Sequence, residues 1–445
     1  MKIKKRNIMK MLLIMLVDLV IAIYIYALKD NLLFAFQTIV LISFFLCIIA
    51  FSKDYMNPFI YFFIYSLLGF LDVVLVVLGA RKVTPMYSID VYNKTLLIMI
   101  LWFLFFSIGF FIYGKIKYKN IKKSDSLKKE KEYTIQLNVI FTFVAIIVFF
   151  VLCKVFSFIL STGGIKAAFL SSSKIFANQN YLSMLMALCG ILPVLYLSKR
   201  NYKKTIISVV FVFALMSLTK RRSLAIIYSL LPVVVYYNYK VKRIKINNLI
   251  ICFIPIMCYV LFIGQIRGVS SGVSSTVDNA LLKQLSQLTR QVEYGRNIPD
   301  LVNAIDNNKI EYQKFKYIMN GVLTYIPRSI WPNKPQVESA GIVSDLIYDA
   351  ENSAGHPVGP YGWGYLSFGY AGVIVMAFLN GLIVSAFYKY VRNQDNTIGY
   401  LMYAYTIIKL LEIFTPEAQF KVSFFIILLF ILAKISQKGE IKKRC

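Results

Sequence analysis

LLIMILWFLFFSIGFFIYG, residues 96–114, holds no charged side chain from end to end. An apolar run of that length matches the hydrocarbon thickness of a bilayer when wound as one helix. Working outward, comparable runs recur at 11–28, 32–51, 59–79, 134–153, 181–198, 204–219, 223–239, 249–264, 363–388, 398–414 and 421–436. They predict an all-α, polytopic membrane helix bundle of about twelve spans. Pro193, Pro232 and Pro255 fall inside such runs; a bundle tolerates them when neighbouring groups re-satisfy the freed carbonyls. The chain is 58% hydrophobic, against roughly 45–50% for a soluble domain.

Net charge is +29, which by itself would suggest nucleic acid. The placement of the charges argues against that partner. Lys and Arg gather at the ends of apolar runs: Lys53, 115–131, 199–204, 240–245, 389–392 and 434–444. With the N-terminus inside, each of these lands on the cytoplasmic face, as basic connectors do. Both termini are then cytoplasmic, and the first apolar run is a retained span rather than a cleaved signal. One cluster breaks the pattern: Lys220, Arg221 and Arg222, in the tight turn between the seventh and eighth spans.

The spans divide the chain into a transmembrane bundle over 1–264, an extracytoplasmic loop over 265–360, and spans ten to twelve with a basic cytoplasmic tail over 361–445. A connection as long as 265–360 is uncommon unless it is functional. Leu281, Leu285, Leu288 and Val292 recur at helical spacing, predicting an amphipathic helix up to Glu293. A second short helix is expected over 299–305, with Pro299 in its first turn. The apolar stretch 315–326 is too short to cross and reads as re-entrant or interfacial.

Four groups of residues could carry chemistry. Lys220, Arg221 and Arg222 stand where cations are disfavoured, so an anion such as lipid phosphate would account for them; the alternative is snorkelling into the headgroups. The loop adds Arg267, Arg290, Arg296, Arg328 and Lys334. Arg suits phosphate because its planar fork stays charged and donates two hydrogen bonds at once, although Asp278, Glu293, Asp300 and Asp306 offer ordinary ion pairs to Arg290 and Arg296. YIPRSIWPNKP, 325–335, is stiffened by three prolines. It holds Arg328 and Lys334 on a non-helical rim, with Trp331 available to anchor at the interface or stack on a sugar. His356, in GHPVGPYGWG (355–364), is the sole histidine and a candidate general base. Glu293, Asp345, Asp349 and Glu351 compete for that role.

Six cysteines form no CxxC pair and no Cys/His cluster, so no disulfide framework or zinc site is expected. Walker A, GxGxxG, HExxH and DxD signatures are also missing from the sequence.

The chain resembles the Wzy-like oligosaccharide repeat-unit polymerases of O-antigen and capsule synthesis. YIPRSIWPNKP (325–335) is similar to that family's IPR-x-l-WP-x-KP pattern, and YLSFGYAG (365–372) to its continuation. The KRRS turn at 220–223 is similar to the Ser-Arg turn of the wider polymerase and ligase group. The chain departs from the family at Gly362-Trp363-Gly364, where an acidic residue is usual.

The resemblance implies a glycosyltransferase without metal or other cofactor, a GT-C-like fold and a site outside the cytoplasm, in the cell membrane. Donor and acceptor would both be polyprenyl-diphosphate-linked oligosaccharides. On that reading Arg222 and Arg328 hold the diphosphate, supported by Lys220, Arg221, Arg267, Arg290, Arg296 and Lys334. His356, or else Glu293, takes the acceptor proton. Trp331, Tyr361 and Trp363 stack on sugars. The lipid bilayer, a flippase and a chain-length regulator are the expected partners, and nucleic acid is not. An O-antigen-type ligase is the nearest alternative, and a lipid-linked oligosaccharide flippase or other transporter the alternative from another class. Charges in the spans are few, chiefly Asp18 and Asp72 among the first five, which favours the enzyme over the transporter.

Overall fold

In a computed structural model the chain is described over 31–51, 56–79, 85–115, 126–164, 185–217, 222–244, 294–316, 339–348, 356–394, 397–410 and 422–428, with short pieces between. Its regular structure there is helical, with no strand among the described residues. Among the described residues three helical stretches are long and apolar enough to cross a membrane: Ile89–Tyr113, Asn138–Ser161 and Gly359–Arg392. Of the other expected spans, 32–51 and 59–79 coincide with helices at Leu32–Phe51 and Pro58–Val77. The span expected at 249–264 lies outside the described residues, as does the amphipathic helix expected up to Glu293.

The chain divides into two compact units. The first holds α1 (Leu32–Phe51), α2 (Pro58–Val77) and α3 (Ile89–Lys115). In the second lie α4 (Ser126–Ser161), α5 (Ile191–Ser198), α6 (Tyr202–Ser217), α7 (Arg222–Ser229) and α8 (Leu231–Tyr236), which runs on as a π turn at Tyr237–Val241. Back in the first unit are α9 (Tyr294–Asp306), α10 (Ser339–Tyr348) and most of α11 (Gly359–Gln394); α12 (Thr397–Leu410) follows.

In the second unit α6 packs against α5 and α7. Gly190 permits the closest approach there, because a Cβ on it would lie 1.9 Å from the Tyr228 carbonyl oxygen. Tyr228, Tyr405 and Phe425 stack beside it, and the Tyr405 hydroxyl donates to the Ala187 carbonyl at 3.0 Å.

α2 shows how sequence places a helix in the first unit. Asn57 caps it by accepting from the Phe59 amide, and Pro58 occupies the first turn, where no amide is needed. At the other end Gly79 takes φ +77, a conformation glycine adopts without strain. The chain turns back there, and the Arg81 amide bonds to the Leu75 carbonyl at 3.0 Å. The turn thereby places Arg81 beside Asp72. Along the α2–α3 seam, Phe62 stacks on Phe106 with ring centroids 3.8 Å apart, and Phe59 packs against Phe110. α3 meets α11 at glycines: a Cβ on Gly109 or Gly381 would lie 2.2 Å from the carbonyl oxygen of Phe378 or Phe106. Small residues of this kind let membrane helices approach closely.

Two expectations are corrected. The helix expected over 299–305 extends back to Tyr294, so Pro299 lies inside it rather than in its first turn. The span expected at 363–388 begins at Gly359 and is broken at Phe368 (φ −147, ψ 26) and Gly369 (φ 61, ψ −145). The break leaves carbonyls without helical partners, and the segment after α9 supplies them. The amides of Gln313 and Lys314 donate to the carbonyls of Leu366 and Ser367, each at 2.9 Å. Beyond the break the chain passes close to itself, since a Cβ on Gly372 would lie 2.2 Å from the Gly364 carbonyl oxygen. YLSFGYAG is therefore where the helix kinks.

Gly369→Ala is expected to lower stability by about 1–3 kcal/mol, the usual cost of holding a side chain in such a backbone region. Thermal unfolding in detergent checks it through a fall in Tm of several degrees; an unchanged Tm would contradict the break.

Candidate active site

The described part of the long loop is built around α9, which packs on α2, α3 and α10. Tyr294, Asn297, Ile298, Leu301 and Val302 are all at most 1% exposed. α9 is thus part of the first unit's core and not a surface appendage. Gly69 makes room for it, since a Cβ there would lie 2.1 Å from the Tyr294 ring.

The anchor is Asp72 on α2, which is 0% exposed. One carboxylate oxygen pairs with Arg81, itself buried. The other accepts the Gly295 amide of α9 at 2.7 Å. One charge thereby neutralises a cation and ties the loop helix to α2. Lys94 on α3 donates to Asp306, at the far end of α9, at 2.6 Å.

Arg296 is ordered by the same helix. Its Nε lies 3.6 Å from Asp300, whose side chain is 1% exposed while that of Arg296 is 37% exposed. Tyr87, in the link before α3, donates to Asp300; burial first, then that hydrogen bond and the carboxylate's charge, hold its hydroxyl well above the usual phenol range. Tyr87 therefore remains a donor across the physiological range. The result is a half-exposed guanidinium whose anchoring carboxylate is itself fixed, a pre-ordered arrangement suited to an anion.

His356 lies just before α11 and is half-buried. Its Nδ1 is 3.1 Å from the Ser344 Oγ of α10. The next residue is held too, because Asn297 Nδ2 donates to the Pro357 carbonyl at 2.9 Å. Gly359 then takes φ +63, with the Tyr294 hydroxyl where a Cβ would stand. Trp331 is 39% exposed, and Tyr325 nearby in sequence is 47% exposed. Tyr361 and Trp363 stand differently, at 0% and 2% exposed. Tyr361 meets Tyr294 and Trp102 edge-on, at 5.4 and 6.1 Å between ring centroids.

The first unit thus brings Arg296, His356 and Tyr361 to the surroundings of α9, while Trp363 is buried on α11. Arg222 begins α7, in the second unit. Lys220, Arg221, Arg267, Arg290, Glu293, Arg328 and Lys334 lie outside the described residues. Asp72, Arg81, Asp300, Tyr87, Asn297 and Ser344 were not among the sequence candidates. Two of them gave a signal: Asp300 as an ion-pair partner offered to Arg296, and Asp72 as a lone carboxylate in an apolar run followed by an arginine just past the helix end. Among the described residues no three His, Cys, Asp or Glu side chains group as metal ligands do.

Multiple apolar helices, a segment folded back among them and an ordered Arg and His beside that segment define a membrane protein with a candidate site there. The sequence model of the O-antigen polysaccharide polymerase Wzy matches residues 8–438, nearly the whole chain, and the chain belongs to that family. It is a membrane polymerase that joins lipid-linked repeat units into polysaccharide. No curated protein and no solved structure matches it.

Asp72→Asn leaves Arg81 buried without its counter-charge and is expected to cost about 3–5 kcal/mol. The double variant Asp72→Asn/Arg81→Met should recover a large part of that loss in chemical unfolding. Equal stability of the single variant and wild type would contradict the anchor.

Proposed function

We propose that the donor and acceptor are polyprenyl-diphosphate-linked oligosaccharides and that transfer proceeds without a metal, at a site built on the 265–360 loop outside the cytoplasm. The family match over nearly the whole chain carries this reading. About twelve spans, a GT-C-like arrangement and cytoplasmic termini complete it, supported by the basic connectors of the sequence. A flippase that delivers the repeat unit and a regulator of chain length are its proposed partners.

In the proposed reaction an acceptor sugar hydroxyl attacks C1 of the donor sugar. The C1–O bond to the diphosphate breaks as the new glycosidic bond forms, and the leaving lipid diphosphate takes the electron pair. The hydroxyl proton passes to His356, with Glu293 as the second candidate base. Negative charge grows on the diphosphate, and fixed cations aimed at developing charge are often the largest catalytic contribution. Arg222 and Arg328 take that role, with Lys220, Arg221, Arg267, Arg290 and Lys334 around them. Arg296 adds a site for a phosphate or acidic sugar, supported by its half-exposed side chain on a buried carboxylate.

Trp331 is the proposed sugar platform, since part of its ring is open. Tyr361 and Trp363 are assigned to packing beneath the site, because their rings are enclosed.

Purified protein in lipid bilayers, given a lipid-linked repeat unit, is expected to yield a ladder of polymer lengths. Arg328→Ala or Arg222→Ala should slow ladder growth by about 10²–10³-fold. Transfer of finished polymer to a different acceptor, with no ladder from single units, would point to a ligase. A full-rate ladder from both Arg variants would overturn the diphosphate assignment.

A further inference from the structure

Two helices of the first unit fix the depth of the loop in a bilayer. Between Lys94 and Tyr113 in α3, and between Gly369 and Lys389 in α11, no side chain is charged. Each stretch rises about 30 Å at 1.5 Å per residue, which matches the thickness of the hydrocarbon layer. Their ends coincide. Lys389 donates to the Tyr113 carbonyl at 2.6 Å, and Tyr388 beside it donates to Asp54 at 2.9 Å. At the opposite end Lys94 pairs with Asp306, and Tyr370, the residue after the break, lies within electrostatic reach of both. The end of α9 and the break in α11 therefore stand together at one boundary of the hydrocarbon layer.

The segment that follows α9 is held at that boundary by its backbone, through the Gln313 and Lys314 amides on the Leu366 and Ser367 carbonyls. Its side chains are of two kinds. Tyr312 meets Tyr365 edge-on and Phe315 meets Phe368, yet the two rings remain 44% and 63% exposed. Lys309, Lys314 and Lys316 are exposed around them. Glu311 offsets one of these charges and Lys94 neutralises Asp306, so the segment keeps a net positive charge. Open aromatic rings interleaved with lysines suit the layer where headgroups meet acyl chains.

We propose that 309–316 is an interfacial anchor for anionic phospholipid. Tyr312 and Phe315 enter the boundary between headgroups and acyl chains. Lys309 and Lys314 face the phosphates, and Lys316 adds its charge. The bilayer fits better than a protein partner, because two spans set the segment's depth and its aromatic and basic pattern is that of chains at a lipid surface. The anchor fixes the height at which α9, and with it Arg296, stands above the acyl chains. The inference depends on α3 and α11 spanning the bilayer and not on the chemistry of the transfer.

The full chain in nanodiscs of phosphatidylcholine and phosphatidylglycerol, with benzoylphenylalanine in place of Phe315, provides the test. Irradiation followed by mass spectrometry is expected to find phospholipid attached at 315. Phosphatidylglycerol should be enriched about fivefold over its share of the disc, the ratio that one lysine near the surface supplies. Adding Lys309→Gln and Lys314→Asn should keep the lipid adduct but bring that enrichment close to the bulk ratio. Asn suits the φ of 48 at Lys314, and the retained adduct shows that the segment keeps its place.

Phospholipid adducts in the bulk ratio from the chain with its lysines intact would overturn the proposal. So would attachment to a second copy of the chain, or to the oligosaccharide of a supplied lipid-linked repeat unit, with no phospholipid adduct.

Discussion

A carboxylate enclosed by apolar helices must be neutralised and fully hydrogen-bonded, or its burial costs several kcal/mol. Asp72 meets both conditions at once, with Arg81 on one oxygen and the Gly295 amide on the other. Those partners lie 9 and 223 residues further along the chain. Arg81 is returned to α2 by the turn at Gly79, while Gly295 belongs to the distant loop. The requirement to satisfy one charge thus fixes where the loop helix enters the bundle. From α9 follow the order of Arg296 through Asp300, the Asn297 grip on Pro357, and the contact with α10 that carries Ser344.

The second constraint is space. Where α11 breaks at Gly369, the freed carbonyls of Leu366 and Ser367 receive amides from 313–314. Neither piece closes its hydrogen bonds alone. In apolar surroundings such groups need internal partners, so the loop and the broken helix are one folding unit. Gly364 and Gly372 serve the close passage that results. This also gives Gly362-Trp363-Gly364 a packing role at a position where relatives are expected to carry an acid.

Much of the helical architecture was legible in the sequence because a bilayer imposes a simple length rule on apolar runs. The stretch 96–114 lies wholly inside α3, and 363–388 lies inside α11. The internal break was not legible, since the YLSFG stretch carries no proline and its glycine alone does not announce a positive φ. The site was legible as chemistry more than as geometry. Arg296 and His356 stood out by residue type, and the ion pair weighed for Arg296 is present, though with a buried carboxylate rather than a solvated one. Tyr361 and Trp363 were chosen for their rings, but exposure decides whether a ring can meet a sugar, and exposure is a property of the packed chain. Ser344 and Asn297 gave no signal because small polar residues on helices are common and act here only through a tertiary neighbour.

The central claim is that the loop helix belongs to the first unit's core through Asp72. Hydrogen–deuterium exchange of the backbone amides of 294–306, in the full chain reconstituted in lipid, tests it most directly. Core helices open only rarely, whereas unpacked loops exchange near the free-chain rate. The account predicts protection of 294–306 comparable to that of α3, with the Gly295 amide among the slow ones. Exchange of that segment at the rate of an unstructured peptide, beside a protected α3, would contradict it.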